Sequence, residues 1–118
     1  MALTNQPPDL LPGTLDMLIL RALTTGPKHG YAIAERLRQV SEDVLVVGES
    51  SLYPALQRLL LNGWVKAEWG ASDNNRRARF YAITRTGRRR LAAEEDRWRV
   101  ASETILRFLA PSSGRGGS

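Results

Sequence analysis

The sequence predicts a mainly α-helical fold with one small β-hairpin and a long C-terminal helix, and three observations carry the prediction. The first is Ser50-Ser51-Leu52-Tyr53-Pro54-Ala55-Leu56-Gln57-Arg58-Leu59-Leu60-Leu61-Asn62-Gly63, a short helix with a polar, aromatic first turn and an Asn-Gly stop. The second is the stretch that follows it, two strand-like segments around a polar loop, rich in arginine on the returning side. The third is the seven-residue spacing of Leu91, Trp98 and Ile105 near the C-terminus. A helix with an exposed, hydrogen-bonding N-terminal end followed by a basic β-ribbon is the layout of a winged helix-turn-helix.

Each element has a local reason. Residues 1–9 are polar and contain Pro7-Pro8, which predicts a loose arm. Leu15, Leu18, Ile19, Ala22 and Leu23 then follow helical spacing, with Thr14 as N-cap and Asp16 in the first turn. Thr24-Thr25-Gly26-Pro27 stops this helix, and a second begins near His29-Gly30-Tyr31, with Tyr31, Ile33, Ala34, Leu37 and, at its end, Val40 on the apolar face and Glu35, Arg36 and Arg38 on the wet side. In the third helix Ser51 is read as the N-cap, so that Pro54 is the third helical residue and its missing N–H costs nothing. Leu52, Ala55, Leu56, Leu59 and Leu60 form its buried stripe.

Trp64–Trp69 alternates apolar and charged residues as a half-buried strand, and 79–83 returns as its partner, giving a two-stranded wing. Thr84 or Thr86 caps the last helix, which Ala110-Pro111 ends. The predicted organisation is an arm (1–9), a winged helix-turn-helix (10–84), a dimerisation helix (85–110) and a flexible tail (111–118).

Composition narrows the function. At 118 residues with 42% hydrophobic content the chain supports one small core. There is no cysteine and a single histidine, which argues against disulfides, thiol nucleophiles and histidine-based metal clusters; no cofactor is expected. No apolar run approaches membrane-spanning length and the N-terminus has no signal-peptide pattern, so a soluble cytoplasmic protein is expected, with no membrane partner. Residues 1–75 hold six basic against eight acidic side chains, whereas 76–100 hold nine arginines against three acids. A planar guanidinium suits phosphate and guanine edges, and a solvated basic surface is the equal alternative on charge alone; together with the winged layout, double-stranded DNA is the leading partner.

On that reading the candidate DNA-binding residues are Ser50, Ser51, Tyr53, Gln57 and Arg58 on the third helix, and Lys28 and Tyr31 at the start of the second. Asn74, Asn75, Arg76, Arg77 and Arg79 on the wing complete the set. Helix N-termini attract phosphate, glutamine pairs with adenine edges, and Arg58 either faces the groove or reaches back to a phosphate. One of Ser50 and Ser51 is also a cap, Tyr53 has core packing as its alternative, and His29 more simply closes a turn. Positive charge from Arg88, Arg89 and Arg90 near a helix start needs compensation, from phosphate or from Glu94 or Glu95. Glu94-Glu95-Asp96 reads as a solvated face, and with no nucleophile motif or glycine-rich phosphate loop the chain is not expected to be an enzyme.

Junction words also match a known family. Leu11-Pro12-Gly13-Thr14-Leu15, Gly26-Pro27-Lys28-His29-Gly30-Tyr31, Ser51-Leu52-Tyr53-Pro54-Ala55-Leu56, Arg79-Phe80-Tyr81, Ile83-Thr84 with Gly87, and finally Glu95 and Trp98 occur in the order of the PadR transcriptional regulators. The chain resembles the short subtype with one C-terminal helix, over about residues 10–110, departing at Ser50 where glycine is common. The resemblance implies a homodimer, usually a repressor of a palindromic operator, released by a small molecule or other signal. Its interface would use Leu91, Trp98, Ala101, Ile105, Phe108 and Leu109. Trp98 either packs that interface or lines a slot for a small planar hydrophobic effector. The competing reading is a dimeric ligand- or protein-binding module that keeps the shape without reading DNA; nine arginines in 76–100 argue against it.

Overall fold

The computed structural model describes residues 12–111; the predicted arm and nearly all of the predicted tail lie outside the described residues. The elements are α1 (Pro12–Ala22), a 3-10 turn (Leu23–Thr25), β1 (Lys28–His29), α2 (Gly30–Val40), α3 (Glu49–Leu61), β2 (Val65–Ala71), β3 (Arg77–Ile83) and α4 (Arg85–Leu109). Helices α1, α2 and α3 surround one core built on Ile19, Leu20, Leu23, Ile33, Leu56 and Leu59, all fully buried. Val65, Tyr81 and Leu91 close it from the sheet and from α4. This is the expected mainly α winged helix-turn-helix with a long last helix.

Four local expectations are corrected. The helix expected to start at Thr14 already runs from Pro12, whose fixed φ suits a first turn, so Thr14 is internal to α1. The sheet has three strands in the order β1-β3-β2, because Lys28 and His29 pair with Tyr81 and Phe80 across the free edge of β3. Two residues between a Pro and a helix start are too short to show a strand period.

The third correction concerns Pro54. Gly48, not Ser51, caps α3, receiving the amides of Ser51 (3.1 Å) and Leu52 (2.9 Å) on its carbonyl. Pro54 is therefore the sixth residue of α3 and leaves the Ser50 carbonyl without its amide partner four residues on. Ser50 is exposed, so water can take that place. The fourth is Leu91, expected at a dimer interface but buried in its own protomer's core. It lies only two turns into α4, where the helix still rests on α1 and the sheet.

The α3 stop at Asn62-Gly63 holds, with Gly63 at φ 72°. The cap on α4 is Thr84: its hydroxyl donates to the Gly63 carbonyl (2.7 Å) and accepts the Gly87 amide (3.0 Å). Beyond Leu91, α4 leaves the core. Trp98 is 43% exposed and Phe108 85% exposed, with Ala101, Ile105 and Leu109 also open to solvent.

Candidate nucleic-acid interface

Helix α3 shows one continuous outer stripe. Ser50, Tyr53, Pro54, Gln57 and Leu61 are all exposed and recur at helical spacing, opposite buried Leu52, Ala55, Leu56 and Leu59. Tyr53 is half-buried in effect: its phenol end lies over Gly30 at the start of α2, where an added Cβ would stand 2.5 Å from the hydroxyl. The missing side chain of Gly30 thus seats Tyr53 in the seam between the two helices. Pro54 and Leu61 share the stripe although neither is flagged by its chemistry; apolar groups there can meet thymine methyls.

Glu49 also went unmarked in the sequence because the helix starts earlier than expected. It occupies the first turn of α3, where a carboxylate complements the helix dipole and opposes a phosphate.

A second surface adjoins the first. An open groove of about 760 Å³ runs between α2 and the tip of the wing, lined by Lys28, Tyr31, Arg36 and Gln39 on one side and Asn74, Arg76 and Arg77 on the other. Tyr31 and Val40, expected on the apolar face of α2, are instead 70% and 65% exposed, and Tyr31 borders both this groove and the smaller hollow that reaches Tyr53, so the two surfaces are contiguous. Arg36 and Gln39 are additions to the expected set. Their signal was their spacing from Ala32, which puts them on one face of α2.

Local chemistry orders the groove. His29 caps α2, its Nδ1 accepting the Ala32 amide (3.2 Å), and its ring meets Phe80 edge-on at 5.3 Å. Lys28 Nζ donates to the Thr25 hydroxyl at 2.9 Å. At the wing tip Asn75 adopts a left-handed conformation (φ 59°), and the Ser72 amide donates to the Arg76 carbonyl (2.8 Å), so Asn75 shapes the turn. Arg77 stacks on the Trp69 ring at 4.6 Å, and Arg79 lies 5.9 Å from the Tyr81 ring. Burial pushes the Tyr81 phenol above its ordinary range. Arg79 and Asn75 do not line the groove.

Two sets of charges are spoken for internally. Arg58 makes a two-pronged pair with Asp16 of α1, Nη2 to Oδ1 at 2.8 Å and Nε to Oδ2 at 3.2 Å, which raises its pKa. It is thus bound to a carboxylate rather than turned to the outer stripe. Arg38 joins Glu35 and Asp43, and its hydrogen bonds hold the Glu35 carboxyl below the usual range. On α4, Arg90 pairs with Glu94 (2.7 Å) and covers the Trp64 ring (4.7 Å), so its compensation is internal; Arg97 pairs with the same Glu94. Among the described residues no three His, Asp or Glu side chains gather as a metal site, and no helix is long and apolar enough to cross a membrane.

Residues 19–93 match the transcriptional regulator PadR-like family. The chain belongs to that family. The match runs from α1 through the wing into the first turns of α4, covering the α3 stripe and the α2–wing groove. This PadR-like regulator is similar to a transcriptional regulator from Clostridium thermocellum, at 30% identity and TM-score 0.75, covering 83% of this chain and 95% of that one. It is also similar to a PadR family regulator from hypervirulent Clostridium difficile, at 27% identity and TM-score 0.69 over 83% and 100% of the two chains. An uncharacterized protein X of Lysinibacillus sphaericus is 27% identical over 101 residues, 86% of this chain and 93% of that protein.

Proposed function

We propose that this PadR-like regulator is a cytoplasmic, homodimeric DNA-binding repressor of a palindromic operator. Each protomer lays α3 in a major groove, with Ser50, Ser51, Tyr53 and Gln57 at the bases and nearby phosphates. Lys28, Tyr31, Asn74, Arg76 and Arg77 grip the backbone, with Asn75 shaping the tip and Arg79 beside it. The observation that carries this reading is the contiguity of a neutral α3 stripe with a basic groove. Sequence readout needs the first, and sequence-independent attraction needs the second. The exposed apolar half of α4, through Trp98, Ala101, Ile105, Phe108 and Leu109, supports dimerisation. Two-fold symmetry then spaces the half-sites by about one helical turn, roughly 34–36 Å. A small hydrophobic effector beside the half-exposed Trp98 indole would act on the same interface.

Two substitution series test the division of labour. Arg76→Ala or Arg77→Ala is expected to weaken binding to every duplex and flatten the salt dependence by about one unit per lost phosphate contact. Gln57→Ala or Tyr53→Ala should change the sequence preference, at about 1–3 kcal/mol per affected base pair. Selection from a random duplex pool followed by titration across salt measures both. A wild-type protein that enriches no symmetric consensus would overturn the proposal.

A further inference from the structure

Arg58 occupies the flank of α3, between the outer stripe and the core. Counting around the helix places it with Ser51, seven residues earlier, on the edge beside α1. A guanidinium on that edge has two accessible positions, outward to a passing phosphate or inward to α1. It is inward, held at two points by Asp16, whose side chain is only 15% exposed while that of Arg58 is 40% exposed.

This pair differs from most others in the molecule. Arg38, Arg90, Arg97 and Arg99 all pair with carboxylates within five residues of themselves. Asp16 and Arg58 lie 42 residues apart and join two helices through two hydrogen bonds. The result for charge is specific. Within α3 the only side chains charged at neutral pH are Glu49 and Arg58; the acid sits in the first turn and the base is paired with Asp16. Among the described residues, cations without a carboxylate partner line the α2–wing groove at Lys28, Arg36, Arg76 and Arg77, in company with Asp73 and the Arg38-paired Glu35.

Phosphate contacts strengthen binding to all sequences alike, whereas a regulator needs the ratio between operator and other DNA. We infer that Asp16 is a specificity-determining residue that acts through Arg58, clamping the guanidinium against α1 and so withholding one cation from the DNA backbone beside the reading helix. This rests on the DNA-binding reading proposed above. Freed from Asp16, Arg58 can swing to the flank of the groove and add attraction blind to sequence.

The test uses the full chain, the duplex that the wild-type protein enriches from a random pool, and a scrambled duplex of the same composition. Asp16→Asn is expected to tighten scrambled-duplex binding by about 10-fold at low salt and to steepen its salt dependence by about one unit per protomer. Affinity for the selected duplex should change by less than about 3-fold, so the specificity ratio falls. Adding Arg58→Gln to Asp16→Asn should restore the wild-type ratio and slope, because the added cation is gone; a merely structural pair predicts no such reversal.

Three results overturn the inference. One is an unchanged ratio in Asp16→Asn. Another is weakening of both duplexes that Arg58→Gln does not reverse. The third is a double variant whose slope is shallower than wild type, since Arg58 would then already hold a phosphate. The double variant keeps the wild-type net charge and leaves no orphaned charge at the site, so its slope still tests whether Arg58 holds a phosphate in the wild-type protein where Asp16→Asn alone does not fold. Absence of any consensus for the wild-type protein is a different failure: it removes the DNA-binding reading, and the inference with it.

Discussion

A Gly87→Ala protein is expected to unfold roughly 10–15 °C below wild type in a thermal melt, a loss of about 3 kcal/mol. Helix α4 starts where the wing ends, and its first turn is pressed onto the end of α3. The Trp64 carbonyl receives the Thr84 amide at 3.0 Å, while the Thr84 hydroxyl binds the Gly63 carbonyl at 2.7 Å. An added Cβ on Gly87 would stand 2.0 Å from the Trp64 oxygen and 2.9 Å from Ile83 Cγ1. Neither neighbour can yield cheaply, since one is backbone and the other is packed against the core. Relief requires α4 to lift, which breaks the Thr84 cap and withdraws Leu91 from the core. Ala raises intrinsic helix propensity over Gly by about 1 kcal/mol, so a purely local effect would have the opposite sign. A melt at or above the wild-type midpoint would refute the close-packing account.

On the homodimeric, operator-binding reading proposed above, Ile105→Asp is expected to give monomers and weaken operator binding by about 10²–10⁴-fold, the gain that linking two half-site contacts provides. Trp98, Ile105 and Phe108 fall on neighbouring helical positions of the half of α4 that leaves the core. A carboxylate in that face must be desolvated to dimerise, and no basic residue stands on the same stripe to pair with it. Trp98→Ala tests the interface more gently, and also breaks the indole N–H bond to the Thr14 hydroxyl of α1 (3.3 Å). Sedimentation velocity with a parallel binding titration reads both consequences. An Ile105→Asp protein that still sediments as a dimer would locate the interface elsewhere.

Strong periodicity made most elements legible. The α3 stripe of Leu52, Ala55, Leu56 and Leu59 is buried as spaced, and the Asn62-Gly63 stop and the Thr84 cap stand where their chemistry puts them. Boundaries set by weaker signals moved. Ser51 has the better capping side chain, yet Gly48 caps α3 because the Val44–Val47 link delivers the chain three residues earlier. β1 had no visible period at all, being recognisable as a strand only once β3 lies beside it.

The site divides in the same way. Arginine density in 76–100 and the polar start of α3 are local properties of the chain, and they identify the class of partner without any coordinates. Which charges remain available is not local. Arg58 and Asp16 are 42 residues apart, and nothing in either neighbourhood announces that they meet. Arg36 and Gln39 likewise join the basic groove only because the wing folds back across α2. Residue type and spacing are carried along the chain, so helix faces, stops and charge runs can be read from it directly. Ion-pair partners and groove walls depend on the distance between elements, which exists only after packing brings α1 to α3 and the wing to α2.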